Sequence, residues 1–199
     1  MKKSFGAKTL AFPTPAWVVG TYGADGKANI MTVAWGGICC SQPPCVAISL
    51  RKATETYGNI IKRQAFTVNV PSELLVKEVD HAGMVSGRDE DKFAALGLTA
   101  VKSDRVDAPY VAQFPLILEC RVLHTLEIGL HTQFVGEILD VKADDSVLDR
   151  AGLLDMERLG AIVFAPLQRI YFGLGKRLGA AFSIGKEAAA VVGKQPAQE

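Results

Sequence analysis

No stretch of this chain approaches the roughly 18 consecutive apolar residues of a membrane-spanning helix, and its opening residues, MKKSFGAKTLAFPTP, carry lysines without a long apolar run. A soluble, cytoplasmic protein with no membrane partner is therefore the expectation. Surplus charge is also missing, because 22 Lys and Arg against 21 Asp and Glu leave a net charge of +1. That balance provides no footprint for a nucleic acid and no polybasic patch for a membrane surface. Small molecules and other proteins remain as partners. The four cysteines, at 39, 40, 45 and 120, form no CxxC pair, and no histidine stands at zinc-finger spacing, so no metal site is expected. Buried thiols packing as small hydrophobes are the simplest reading, although Cys39 and Cys40 fall inside the candidate ligand stretch. No GxGxxG opens a helix after a strand and no GxxxxGK[ST] loop is present, which excludes a Rossmann or P-loop nucleotide unit. No Ser-His-Asp order or carboxylate dyad stands out, and Asp89, Glu90 and Asp91 read as a helix start. Chemistry in such a chain has to be carried by a cofactor.

What the chain does have is concentrated between Asn29 and Asn59, NIMTVAWGGICCSQPPCVAISLRKATETYGN. Two strands joined by a Pro-Pro connection are expected there, followed by a hydroxyl-rich helix start. Alternation from Cys45 to Arg51 puts Val46, Ile48 and Leu50 on a core face and Ala47, Ser49 and Arg51 on the other. Thr54 and Thr56 come next, ahead of a helix carrying Tyr57, Ile60 and Ile61. A hydroxyl and a guanidinium thus arrive beside free backbone N–H groups, a good site for an anion such as phosphate. On chemistry alone, the same residues also fit a solvated strand end with an ordinary helix cap.

The rest of the 199 residues reads as one domain, long enough to bury roughly 70% of its unfolded surface without a staple. Residues 12–15 form an extended lead-in, 17–22 a first strand, 23–27 a hairpin turn and 28–35 the returning strand. The glycines at 36 and 37 permit a tight turn or a close backbone approach to a planar ligand. Residues 65–70 are β-rich. Ser72 suits an N-cap for a helix over 73–82 that Gly83 stops, and a short helix over 91–96 precedes Gly97. Residues 116–126 and 132–142 predict a long antiparallel hairpin, 144–160 a loop with helical turns, and 161–164 with 168–172 the last strands. Many short strands, hairpin turns and few helices argue for a mainly β protein, an antiparallel barrel with helical insertions. Residues 187–199 have little to bury and are expected to fray. There is no internal repeat and no low-complexity segment.

The pattern Asn29, Thr32, Trp35, Ser41, Pro43, Pro44, Ser49, Arg51, Thr54 and Asn59 resembles the N-terminal signature of the flavoredoxin branch of the flavin reductase-like, FMN-binding split-barrel family. Further matching pieces are FTVNVP at 66–71, SGRDEDKF at 86–93, HTQFVGE at 131–137 and YFGLGKRLGAAFSIGK at 171–186, so the resemblance covers nearly the whole chain. It implies a Greek-key split barrel of six or so strands over residues 1–186, a homodimer with the flavin near the two-fold interface, and non-covalent FMN whose N5 receives hydride. Electrons would come from NADH, NADPH or a redox partner protein. Backbone N–H groups of Thr32, Val33, Ala34 and Trp35 would hold the polar edge of the ring, and Ser49, Arg51 and Thr54 the phosphate. Ser86, Gly87 and Lys92 would close the site, with Asn29, Met31, Leu50, Asn69, Val70 and Tyr171 completing the cofactor-binding set. His131 matches the family histidine before FVGE and is the candidate for a catalytic role, orienting a hydride donor or donating a hydrogen bond near the reduced flavin. Among the other histidines, His124 reads as structural or exposed. Trp35 and Tyr171 stay open between flavin neighbours and core or interface aromatics. Two alternatives are a flavin electron carrier without NAD(P)H activity and a non-redox small-molecule binder on the same barrel.

Overall fold

A computed structural model describes residues 1–11 and 13–186. Phe12 of the extended lead-in and the tail expected to fray, 187–199, lie outside the described residues. In chain order the elements are β1 (Thr14–Pro15), β2 (Trp17–Tyr22), β3 (Ala28–Val33), β4 (Gly36–Ser41), β5 (Pro44–Arg51), α1 (Glu55–Arg63) and β6 (Ala65–Val70). A 3-10 turn (Glu73–Leu75) leads into α2 (Val76–Met84), followed by α3 (Lys92–Leu96), β7 (Ala100–Lys102), β8 (Pro109–Val111), β9 (Leu116–Ile128) and β10 (His131–Ala143). A second 3-10 turn (Asp145–Val147), α4 (Met156–Leu159), β11 (Ile162–Ala165) and β12 (Ile170–Gly173) complete the order. None of the described helices is long and apolar enough to cross a membrane.

Seven strands form one antiparallel sheet in the order β3-β2-β6-β9-β10-β5-β4. Its two ends meet. After β3 only residues 34 and 35 intervene before β4, and the Ser49 N–H donates to the Trp35 carbonyl at 2.8 Å as the last rung of the β4–β5 ladder. This short link joins the sheet's first and last strands, and the sheet curls into a barrel. Inside it, Val46, Ile48 and Leu50 of β5 join Val19, Val33, Phe66, Val68 and Phe134, as their alternation requires. Burying a side chain such as Phe66 stabilises the fold by roughly 1.5–3 kcal/mol. Gly136 stands where the β9–β10 register shifts, and a Cβ there would fall 2.5 Å from the Phe66 ring. A second cluster lies outside the barrel wall, where α2 and α3 bring Val79, Ala82 and Phe93 onto Val18 and Ile30. Consequently β2 and part of β3 are covered on both faces, while β8 covers the outer side of β6 through Thr67 and Asn69.

The hairpins over β2–β3 and β9–β10, the helix after Thr54 and the short helix before Gly97 stand where the pattern puts them. Three expectations change. The returning strand does not run to Trp35: it stops at Val33, and a separate strand β4 starts at Gly36, where a Cβ would lie 2.9 Å from the Trp17 ring. Gly83 does not stop its helix, which runs on to Met84. Its φ is not positive, and what it permits is close approach, since a Cβ there would lie 3.1 Å from Cβ of Thr32. Ser72 makes no side-chain cap, and only a 3-10 turn follows it directly. The strands β1, β7 and β8 have two or three residues each, too few for periodicity to register.

Candidate functional site

Two hollows of about 210 Å³ each share Gly83 and Met84 at the end of α2 and lie side by side over β3. Together they reach the roughly 300–1,000 Å³ of small-molecule sites. One hollow is lined by Asn29, Met31, residues 53–56, Val85, Ser86, Gly87 and Lys92, the other by Ala16, Thr32, Ala34, Asp80, Phe164 and Tyr171. A larger cleft of about 660 Å³ lies between α4 and residues 174–177. Its lining sets four acids, Glu73, Asp149, Asp155 and Glu157, against Lys176 and Arg177, and Asp149 and Asp155 are occupied in capping backbone N–H groups. The acids outweigh the cations, whereas the groove over β3 carries a helix N-terminus and a buried lysine and is the candidate site.

The α1 end of the groove is built for negative charge. Thr54 is the N-cap: its hydroxyl oxygen accepts from the Tyr57 N–H at 3.3 Å, while its own N–H and O–H donate to the Arg51 carbonyl at 3.1 and 2.9 Å. Those bonds tie the end of β5 to the start of the helix and leave the N–H groups of Glu55 and Thr56 without helical acceptors. Arg51 is exposed and faces His131 across β5 and β10, and Ser49 faces Gln133. Across the groove, the Glu55 carboxylate accepts from Arg88 Nε at 2.7 Å. This pairing takes up a charge that would otherwise oppose an anion at the helix start.

Asn29 stands in the groove wall, 7% exposed, with Nδ2 donating to the Thr56 hydroxyl at 3.0 Å and Oδ1 buried without a partner. Gly87 presses on that oxygen so closely that a Cβ would fall 2.1 Å from it. Only glycine lets the loop after α2 lie here. The loop is fastened by Arg88 to Glu55, by His81 Nε2 to Glu90 at 2.7 Å and by Lys27 to Asp91 at 3.3 Å. Behind the wall, Lys92 is 3% exposed and donates to the carbonyls of Ile30 and Ala82, each at 2.8 Å. Burial pulls its ammonium down to a pKa of about 8, with Glu90 opposing the shift. Two of its three N–H donors are used, and it still borders the hollow.

At the other end, Thr32 donates its hydroxyl proton to the Val79 carbonyl, pinning β3 to α2. The Tyr171 hydroxyl donates to Asp80 at 3.0 Å, and burial followed by that carboxylate pushes its pKa up to about 12. Its ring packs on Phe164, with centroids 5.1 Å apart. Trp35 is about one-third exposed and lines a neighbouring hollow with Leu10, Thr14 and Gly36.

The structure thus gathers Asn29, Met31, Thr32, Ala34, Thr54, Ser86, Gly87, Lys92 and Tyr171 around one groove, with Ser49 and Arg51 on the strand that leads to it. Val33 and Leu50 point into the barrel core and line neither hollow. Asn69 and Val70 are not brought to it. Asn69 is fully buried, donates to Val18 O and Thr67 Oγ1 and accepts from the Val111 N–H, which uses all its close partners in holding β2, β6 and β8 together. Glu55, Asp80 and Met84 line the groove without having been singled out, whereas the sequence already places Thr56 at the helix start and Arg88 in the loop after α2 that could line a pocket. The signal for Thr56 is a second hydroxyl in the first turn of a helix. The cysteine expectation holds for Cys45 and Cys120, which are buried, but Cys39 and Cys40 are exposed because β4 is an edge strand.

Comparison with known proteins agrees with this geometry. A family model described as flavin reductase like domain matches residues 9–160. The solved flavoredoxin of Desulfovibrio vulgaris (Miyazaki F) is 54% identical with a TM-score of 0.89, over 93% of this chain and 100% of that one. The flavoredoxin of Methanosarcina acetivorans is 27% identical with a TM-score of 0.84, over 94% of this chain and 100% of that one. An uncharacterised protein of Archaeoglobus fulgidus is 37% identical over 123 residues, 62% of this chain and 70% of that protein.

Proposed function

Since this chain belongs to the flavin reductase-like family and has its antiparallel split-barrel fold, we propose that the groove over β3 holds FMN non-covalently and that the protein moves electrons through it. The observation that carries this reading is the buried, unpaired Oδ1 of Asn29 in a wall that also presents orphan helix N–H groups. A polyol chain ending in phosphate meets both needs, bringing hydroxyl donors to the oxygen and an anion to the N–H groups. Bound FMN would supply reversible acceptance of two electrons, a chemistry no side chain of the groove possesses.

The residues of this chain bind and orient. Arg51 and Ser49, with the start of α1 capped by Thr54, neutralise the phosphate, and Lys92 adds a positive charge from behind the wall. As an edge strand, β3 turns alternate backbone groups away from β2. The Ile30 carbonyl, held by Lys92, is one of them and Thr32 shares its outward phase, so Thr32 and the chain leaving the strand at residues 34 and 35 offer N–H donors to a ring's polar edge. Phe164 and Tyr171 form an apolar wall that excludes water. His131, opposite Arg51 on the neighbouring strand β10, would donate a hydrogen bond to a hydride or electron donor approaching beside Arg51. His131→Ala should leave flavin content intact and slow flavin reduction in rapid-mixing experiments. Unchanged kinetics would leave it without a site role.

We favour an oxidoreductase drawing electrons from NADH, NADPH or a protein donor. The purified protein should show flavin absorption, and anaerobic addition of NADH or NADPH should bleach it. Flavin that resists both nucleotides yet cycles with a chemical reductant would favour the electron carrier. Colourless protein that takes up no FMN on titration would overturn the flavin reading and leave a small-molecule binder.

A further inference from the structure

Three of the four cysteines meet at one irregularity on the barrel's edge. Between β4 and β5 the register slips: Ile38 faces Val46, Cys40 faces Cys45, and Cys39 is the extra residue of a bulge. Residues directly opposite on antiparallel strands share a face, with Cα atoms about 4.5–5.5 Å apart. Disulfides take Cα separations of about 4.4–6.8 Å. Cys40 and Cys45 therefore stand at bridging distance without movement of the backbone, while all four thiols are free.

Their surroundings divide the labour. Cys40 is exposed on an edge strand that pairs on one side only, and its thiol donates weakly to the Gln42 carbonyl at 3.4 Å. Cys45 is 3% exposed and faces Glu137 on its other flank, whose carboxylate accepts from Arg121 at 2.6 Å. Burial first, then the neighbouring thiols and Glu137, hold the Cys45 thiol above its ordinary range. A thiol of that kind does not open an exchange with an external disulfide, but it can close one that an exposed neighbour has begun.

We propose that Cys40 and Cys45 form a reversible cross-strand disulfide by exchange with a low-molecular-weight disulfide, making the β4–β5 edge a thiol redox site. The Cys40 thiolate attacks one sulfur of the external disulfide, forming a mixed disulfide and releasing one thiol, which takes up a proton. Cys45 then loses its proton and attacks the Cys40 sulfur, and the second external thiol leaves protonated. Two protein thiols are oxidised and one external disulfide is reduced to two thiols. Cys39 and Cys120 take no part. The site rests on the strand register alone and does not depend on the flavin reading.

Oxidised glutathione is the probe, added in excess to the native protein before alkylation under denaturing conditions and peptide mass mapping. The expected result is a Cys40–Cys45 linkage, loss of two of the four alkylatable thiols and their return with dithiothreitol. Cys45→Ala should trap glutathione on Cys40. Cys40→Ser, a change at an exposed position that leaves the core intact, should form no linkage. Lasting glutathione on Cys40 of the native sequence with Cys45 still alkylatable, a linkage through Cys39 or Cys120, or no reaction at all would each overturn the proposal.

Discussion

Arg51 makes no side-chain hydrogen bond or ion pair among the described residues, although its carbonyl is held by both donors of Thr54. An exposed guanidinium fixed at its backbone and free at its tip suits an anion that arrives with a ligand. A charge-assisted hydrogen bond is worth roughly 1.5–3 kcal/mol, so Arg51→Ala should weaken FMN about tenfold to a hundredfold. Riboflavin, which lacks the phosphate, should bind the variant almost as well as the native protein. Equal losses in parallel titrations would place Arg51 on the ring or the fold. Lys92 makes a different claim. Its free ammonium is pulled down to about 8, and a nearby phosphate favours the charged form, so its pKa is higher in the complex. Its contribution to affinity is complete below about 8 and is lost as the pH rises through the higher pKa of the complex. Calorimetric titration near that pH, in buffers of different ionisation enthalpy, should show protons taken up on FMN binding. Zero uptake would uncouple Lys92 from the phosphate.

The loop after α2 and the start of α1 are the two jaws of the groove, and they differ in how far their chemistry could be read in advance. Thr54 before an amphipathic helix is a local signal, because an N-cap and its helix lie within a few residues of one another. The alternation of Val46, Ile48 and Leu50 likewise declares its buried face without reference to the rest of the chain. Asn29 against Gly87 is not local: its meaning depends on a loop some sixty residues away arriving in contact, which no periodicity encodes. The same holds for Asn69, whose three partners come from β2, β6 and the Val111 amide of β8. Resemblance supplied Ser86 and Gly87, yet the reason for the glycine emerges only from the contact. Gly87→Ala should push the loop off Asn29 and weaken FMN and riboflavin together, with little change in thermal stability, since the loop is mostly surface. A variant that binds both flavins normally would mean that the loop tolerates the displacement without opening the site.

On the scale of the whole molecule, the described surface is unusually apolar in two places. Leu126, Ile128 and Leu130 crowd the tip of the β9–β10 hairpin, and Ile170, Phe172, Leu174, Leu178 and Phe182 follow one another along the last described segment. Large exposed apolar patches mark interfaces, and a homodimer is the expected assembly. Light scattering at micromolar concentration should return twice the chain mass, and a monomer that retains flavin would contradict this. The barrel's closure carries a consequence of its own. Every neighbouring pair of the seven strands is joined by a ladder, but no ladder pairs β3 with β4 among the described residues. The two ends of the sheet are linked through residues 34 and 35, and the bond from the Ser49 amide to the Trp35 carbonyl is the last rung of the β4–β5 ladder beside that gap. A cylinder laced that way breathes at its seam. The Ser49 amide proton should exchange with solvent deuterons sooner than those of Val46 and Ile48 in the same strand. Because the seam opens beside the groove, a ligand spanning it should slow that one proton more than any other in β5.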